Sequence, residues 1–466
     1  MRRLLATGIV LLISGIQMQG QPDTTGVAII DRITLEGNKI TRPKIILREL
    51  KFDAGDTIAL YVLPGLLSKS KENVFNTSLF NFVEIDTHAI PDRPDHLDVT
   101  VRVIERWYIW PIPYVEFPNR NINAWLETFD FRKLTWGLNF KFNNARGRNE
   151  TLTLLVHLGF NQRYGFTYQT PYLNKKQTWG FGFGGDFSLN RSLIVSTTNN
   201  KSDYIDTTSH FLQKQANGFV EGYFRPNLYS HHLLMLSYDY YKFADTLLKI
   251  PGYLTDSTSD QSFFSLFYKF KLDHRDMMYY PLKGFYFDVI LVNNGFSSRP
   301  VHLFSVQSSF RKYWKFTERW YLASGLTAKW SWPDEQPFFL QRGLGYGRDF
   351  IRGFEYYTIN GPWFALLKTN VKFALIKPRL GKLSFIRSPR FSVIPYGLFI
   401  NLFIDTGYVG NPVSYVKQNN NLVNTFLAGY GLSIDFITYY DIVLDLNFAL
   451  NSLGEPGIYI HFIAPI

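Results

Sequence analysis

From Trp107 onward, apolar and polar residues trade places at every step, and this rhythm limits the fold more than any single motif does. Leu152, Leu154, Val156, Leu158 and Phe160 share one parity, against Thr151, Thr153, His157 and Gly159 on the other. Phe264, Leu266, Tyr268, Phe270 and Leu272 repeat the pattern against Ser265, Lys269 and Lys271. Leu432, Ile434 and Phe436 oppose Gly431, Ser433 and Asp435, and Leu444, Leu446, Phe448 and Leu450 oppose Asp445 and Asn447. A period of two belongs to strands with unlike faces. Roughly 16 such segments of about 10 residues are present, the length a tilted strand needs to cross a bilayer. A soluble sandwich also alternates, but its sheets are short and its inward side chains need a second sheet to meet. Hydrocarbon offers no hydrogen-bond partner, so spanning strands must pair all round. The expected fold of residues 107–466 is therefore an all-β transmembrane barrel of 16 antiparallel strands, with Lys141, Lys269 and Lys271 in a wet interior.

Composition agrees with that fold and narrows the chemistry. Aromatics make up 17% of the chain, from 42 Phe, 29 Tyr and 10 Trp, and suit strands and interfacial girdles. There is no cysteine, which excludes thiol catalysis, thiolate metal sites, disulfides and lipidation through an N-terminal Cys. The net charge of +11 is spread singly along the chain and forms no basic groove, so nucleic acid is not expected as a partner. Anionic lipid or lipopolysaccharide headgroups are the more natural counter-charge. Arg2 and Arg3, an apolar run from Leu4 to Ile16, and Met18-Gln19-Gly20 before Gln21 form the pattern of a secretory signal peptide over residues 1–20.

Residues 27–105 mix periods. Ile29, Ile33 and Leu35 mark a strand ending at Gly37-Asn38, and Thr41 is placed to cap a helix through Ile45, Ile46 and Leu50, with Pro43 in its first turn. Leu63, Leu66, Leu67 and Val74 share one face of a second helix that closes near Asn76-Thr77. Phe82 to Thr87 and Leu97 to Ile104 alternate as strands around a turn rich in Pro and Asp. This β-α-α-β-β order, with Ile46-Arg48-Glu49-Leu50, Gly55-Asp56, Leu79-Phe80 and the closing strand Val101 to Glu105, resembles a single POTRA domain. An exposed sheet edge in such a module offers a template for a partner strand.

Three stretches of the barrel region carry further information. Asp273-His274-Arg275-Asp276 precedes Pro281 and Gly284; Arg342-Gly343 and Ile351-Arg352-Gly353-Phe354-Glu355 precede Gly361-Pro362; Phe403-Ile404-Asp405-Thr406-Gly407 follows. With Trp136 to Leu173 as early strands, these look like the BamA/TamA-like superfamily of outer-membrane assembly and translocation proteins. Residues 333–362 are too long for a passive hairpin connection, and their Gly and aromatic content suits a loop that folds back on itself. The resemblance implies that this loop tucks into the barrel and that Arg352 meets Asp405. Gly353 would then allow a tight turn, Phe354 would belong to the same latch, and Gly407 would let the loop approach the wall. On the strand after the loop, where the family commonly carries an acid, Lys372 is the expected neighbour of the latch. The last strand, Gly457 to Ile466, ends in Pro465-Ile466 where barrel C-termini typically carry an aromatic residue.

The first barrel strand, starting near Trp107, contains Pro111, Pro113 and Pro118. Positions 111 and 113 share one side and neither has an N–H, so pairing toward one neighbour is weakened. If that neighbour is the final strand, around Gly457 and Ile460, the seam can open sideways; alternatively the prolines stiffen the passage out of the first domain.

The resemblance implies a non-enzymatic insertase or translocase without cofactor or metal. Its expected site is the outer membrane of a Gram-negative bacterium, with the first domain in the periplasm. Unfolded outer-membrane or secreted proteins are the expected clients, periplasmic chaperones and accessory lipoproteins the candidate helpers, and membrane lipid or lipopolysaccharide the surroundings. A passive porin or receptor, or lipid handling in the same fold, is the alternative. No phosphate-binding loop, Gly-x-Ser-x-Gly elbow or His-Glu-x-x-His motif is present to suggest an enzyme.

Overall fold

The computed structural model describes residues 26–116, 131–254, 256, 258–296, 301–412, 419–462, 464 and 466. The signal-peptide segment and Pro118 lie outside the described residues. No described helix is long and apolar enough to cross a membrane, which leaves crossing to strands.

The N-terminal part is built from β1 (Val27–Glu36), α1 (Pro43–Leu47), β2 (Thr57–Ala59), α2 (Leu63–Asn76), β3 (Phe80–Ile90) and β4 (Arg93–Glu105). Its sheet has the order β2-β1-β4-β3, with β1 and β4 parallel and the other pairs antiparallel. The parallel pair requires a crossover, and the two helices supply it. Ile30, Ile46, Val74, Phe80, Val99 and Val101 form the core between helices and sheet. Strand β2 adds a fourth strand that the sequence pattern did not reveal, because three residues are too few to display a period of two. Thr41 does not cap α1. Arg42 occupies the N-cap without a side-chain bond, and the Thr41 hydroxyl instead meets Tyr108 Oη at 3.0 Å and Asn144 Nδ2 at 2.9 Å. Two neighbouring polar side chains outcompete the helix end for that hydroxyl.

The remaining chain forms one sixteen-stranded antiparallel sheet. Its early strands are β5 (Ile109–Glu116), β6 (Thr135–Asn143), β7 (Thr151–Gly159), β8 (Gln162–Thr170) and β9 (Trp179–Asn190). A separate hairpin, β10 (Ser192–Thr198) and β11 (Lys201–Asp206), interrupts the series. The wall continues with β12 (Gln213–Phe224), β13 (Ser230–Phe243), β14 (Asp260–Asp273), β15 (Gly284–Asn294), β16 (Leu303–Lys315) and β17 (Trp320–Trp332). It ends with β18 (Trp363–Lys382), β19 (Val393–Gly410), β20 (Phe426–Ile437), β21 (Val443–Asn451) and β22 (Pro456–His461). Each wall strand pairs with the next, and β5 and β22 stand at the two ends of the order.

Burial is inside out relative to a soluble sheet. On β20 the apolar Leu432 and Ile434 are 50% and 46% exposed, while the intervening Ser433 and Asp435 are 1% and 0% exposed. The apolar row faces outward and the polar row faces an enclosed interior, as a bilayer demands. Lys269 fits that interior by pairing with Asp288 at 3.0 Å.

Candidate functional site: the inward loop, the docked domain and the seam

The loop between β17 and β18 folds into the barrel. Leu344, Ile351, Phe354 and Ile359 pack with Phe364, Leu366, Val409 and Leu427 of the wall, so Phe354 anchors the loop through apolar contact. This cluster delivers Arg352 to β18 and β19. The Arg352 Nε donates to Asp405 Oδ2 at 2.7 Å and Nη2 to Oδ1 at 2.5 Å, while the Arg352 backbone N–H donates to Oδ2 at 3.1 Å. The guanidinium lies 3.8 Å from the centre of the Phe403 ring. Both charged side chains are 0% exposed. A buried pair holds only if each charge is answered, and this carboxylate accepts three donors from one residue.

The neighbour that touches the guanidinium on β18 is Asn370, whose Oδ1 accepts from Nη2 at 2.6 Å. Lys372, the expected neighbour, lies two residues further along the same inner face. Its Nζ stands 4.0 Å from the centre of the Tyr280 ring. A neutral amide thus sits beside the Arg352–Asp405 pair, and Lys368 is the residue opposite Asp405 across the ladder. No sequence reading singled out Asn370, because it shares its face with lysines two residues away on either side.

Glycines let the loop approach the wall. Gly353 has φ +93 and places its carbonyl to accept from Asn451 Nδ2 at 2.9 Å. A Cβ on Gly407 would fall 2.7 Å from Ile351 Cδ1. The closest approach is at Gly429, opposite Asp405 on β20, where a Cβ would lie 1.8 Å from the Arg352 carbonyl oxygen. Sequence reasoning missed Gly429; its only signal is an Ala-Gly-Tyr-Gly run inside a strand.

The hairpin β10–β11 covers the loop from above. Its tip, Asn199-Asn200, has positive φ at both residues, as a tight hairpin turn requires. The Asn200 carbonyl accepts the Thr358 N–H at 2.8 Å, and the Asn200 N–H donates to Asn420 Oδ1 at 2.7 Å. Beside the loop a cavity of about 970 Å³ remains within the barrel, lined in part by Asn139, His157, Asp186, Asn217, Asp239 and Arg342.

At the opposite rim the N-terminal domain is docked. Glu49 pairs with Arg225 through bonds of 2.6 and 2.8 Å, and Arg106 grips Asp441 through bonds of 2.7 and 2.8 Å. Asn76 at the end of α2 holds residues 274–283, donating to the Asp276 carbonyl at 3.0 Å and accepting from Met278 N–H at 3.1 Å. The same segment sends Tyr280 into the barrel, where its hydroxyl donates to Asp435 at 2.7 Å. Asp276 anchors the segment by accepting N–H bonds from Met277, Leu282 and Lys283. The Asp273-His274-Arg275-Asp276 motif therefore connects α2 with the inner wall.

At the start of β5, Trp107 N–H donates to Tyr440 Oη at 3.0 Å, and the rings of Trp110 and Tyr440 stand 4.6 Å apart. The root of β5 is thereby held at the turn between β20 and β21. Asn143 N–H donates to the Tyr108 carbonyl, and the pairing runs without a register shift from Ile109↔Phe142 to Glu116↔Thr135. Antiparallel residues bond their partner strand in alternation, so even-numbered residues of β5 serve β6. Pro111 and Pro113 point the other way, and the donors they lack belong to the free edge. Gly457 and Ile460 lie on β22, opposite Ala449 and Leu446 of β21, with Ile460 exposed.

Among the described residues, no cluster of three His, Asp or Glu side chains is placed to hold a metal ion. Fold and site together define an outer-membrane β-barrel with an inward-folded loop and one docked α+β domain. Residues 133–356 match the model described as the OMP85 superfamily, and residues 28–106 match the POTRA model, described as a surface antigen variable number repeat. The chain belongs to the OMP85 superfamily and carries a POTRA domain. Its fold is similar to BamA from Haemophilus ducreyi lacking POTRA domains 1–3, at 15% identity and TM-score 0.50, covering 93% of this chain and 83% of that one. It is also similar to CdiB from Escherichia coli, at 12% identity and TM-score 0.51, covering 94% and 75%. A search of curated proteins found no match.

Proposed function

We propose that this protein is a non-enzymatic insertase or translocase in the outer membrane of a Gram-negative bacterium, with its POTRA domain in the periplasm. Its clients are unfolded outer-membrane or secreted proteins. The observation that carries this reading is the free edge of β5, which Pro111 and Pro113 leave without two N–H donors. A client strand first adds to the outer edge of β3, the longer edge strand of the POTRA sheet, and then to the weakened barrel edge. Folding of the client supplies the driving force. The Arg352–Asp405 pair acts as a latch that keeps the loop inside while the wall opens beside it.

The absence of cysteine allows a direct test. One cysteine at Ile112 and one at Ile460 are joined by a short bifunctional reagent, and the abundance of other outer-membrane and secreted proteins is followed after depletion of the native protein. The crosslinked form is expected to fail where each single-cysteine form succeeds. Full activity with the seam locked rejects lateral opening, and unchanged protein abundance on depletion favours a porin or receptor.

A further inference from the structure

Strands β18 and β19 are far longer than their neighbours. Pairing of β18 with β17 ends at Trp320↔Phe373, and pairing of β19 with β20 begins at Gly397↔Ile437. Residues 374–396 therefore extend past the wall as a hairpin whose two strands pair with each other out to Lys382↔Val393, while its far loop meets the first domain and the β20–β21 turn through Arg390 and Phe391. Nine residues of β18 beyond the wall correspond to about 30 Å of strand at roughly 3.3 Å per residue. Two register shifts, between Ala374 and Ile376 and between Ile376 and Arg379, bend it where it leaves the barrel.

The charge of this hairpin is one-sided. No Asp or Glu occurs between Glu355 and Asp405, whereas the hairpin carries Lys377, Arg379, Lys382, Arg387 and Arg390. Lys377 is held near its base by Glu318 at 3.3 Å, and Arg390, in the loop that joins its two strands, is held by Glu105 at 3.7 Å. Among the described residues, no carboxylate ion-pairs with Arg379, Lys382 or Arg387. Apolar side chains are interleaved: Leu375 and Leu380 are exposed, and Phe385 near the tip is 79% exposed, the highest value for any large hydrophobic among the described residues.

Its point of departure is a membrane boundary. Trp314, Phe316 and Trp320 are exposed at the β16–β17 turn, and the Trp320 ring lies 4.8 Å from that of Phe373, the last wall residue before the hairpin. Exposed aromatics at a barrel rim mark the headgroup level. Lys377 is at that turn by virtue of its contact with Glu318. We propose that residues 374–396 are a lipid-docking arm, binding anionic phospholipid headgroups of the leaflet on the POTRA side. Arg379, Lys382 and Arg387 neutralise the phosphates, and Phe385 enters the acyl boundary. Interleaved bases and apolar residues suit such an interface. Through the Arg390 carbonyl, which accepts from Asn81 Nδ2 at 2.7 Å, the arm is also tied to the POTRA sheet.

The test uses Ser384→Cys labelled with an environment-sensitive dye, in full-length protein refolded into phosphatidylcholine vesicles with or without about 30% phosphatidylglycerol. Acyl chains carry a quencher. Expected is quenching in the anionic vesicles that falls threefold or more with Arg379→Glu, Lys382→Glu and Arg387→Glu combined, and with Phe385→Ser. It should also weaken at about 0.5 M salt, where the screening length is short. Lys175→Glu, on another turn of the same rim, should leave it unchanged. Heat-dependent gel migration verifies that each variant has folded. Equal quenching in neutral and anionic vesicles, equal loss with Lys175→Glu, or a signal that appears only with added soluble polyglutamate overturns the proposal, the last pointing to an acidic protein partner.

Discussion

The Lys372 ammonium stands 4.0 Å from the centre of the Tyr280 ring, within a barrel wall that buries both completely. A cation over an aromatic face gains most where water is excluded. The Tyr280 hydroxyl simultaneously serves Asp435, so one side chain from segment 274–283 answers a cation on β18 and a carboxylate on β20.

Tyr280→Phe keeps the ring but leaves Asp435 without that donor, and Tyr280→Leu removes both contacts. The first is expected to destabilise the barrel by about 1–3 kcal/mol, the cost of an unanswered buried acceptor. The second should cost more. Urea unfolding followed by heat-dependent gel migration ranks the two, and equal midpoints would show that the ring contact contributes nothing.

Arg352→Ala leaves Asp405 buried without its cation and is expected to cost about 3–5 kcal/mol. Arg352→Lys should recover only part, since an ammonium cannot make the two parallel bonds. The paired replacement Arg352→Met with Asp405→Leu should regain stability while losing assembly activity. Measuring both quantities in the same variants separates the fold from the latch.

Gly429→Ala drives a methyl against the Arg352 carbonyl and should displace the loop, with a loss of about 1–3 kcal/mol typical of overpacking. Gly218→Ala meets nothing within 4 Å and serves as the control. Protease cleavage within residues 333–362 reports the displacement, and similar cleavage in both variants counts against tight contact at Gly429.

Glu49→Ala strands Arg225 at the docking surface of the POTRA domain, and Asp441→Ala does the same to Arg106. Each is expected to widen the distance distribution between spin labels on the POTRA domain and the barrel rim, and the double variant should widen it further. A single narrow distance in the double variant would assign the docking to Asn76 and the apolar contacts alone.

The wall was readable in the sequence because its environment is uniform. Leu432, Ile434 and Phe436 face one solvent and Ser433 and Asp435 another, so strict alternation survives over many strands. Arg352 and Asp405 were reachable only through family resemblance, since no local pattern brings residues 53 positions apart together. The fine structure around them was not legible. Asn370 and Lys372 have the same parity, and only the register against β19 decides which one meets the guanidinium. Thr41 illustrates the opposite failure, for its local signal was sound but Tyr108 and Asn144 claimed the hydroxyl. The role of Asn199-Asn200 depends on Thr358 and Asn420, which lie far along the chain.

The bonds between Asn200, Thr358 and Asn420 bear on electrical behaviour. They clip the β10–β11 tip over the inward loop on one face of the barrel, while the POTRA domain spans turns on the other. A planar bilayer holding the resting protein should consequently pass little steady current despite its sixteen strands, and brief conducting bursts should become frequent once Asn200 or Asn420 is replaced by alanine.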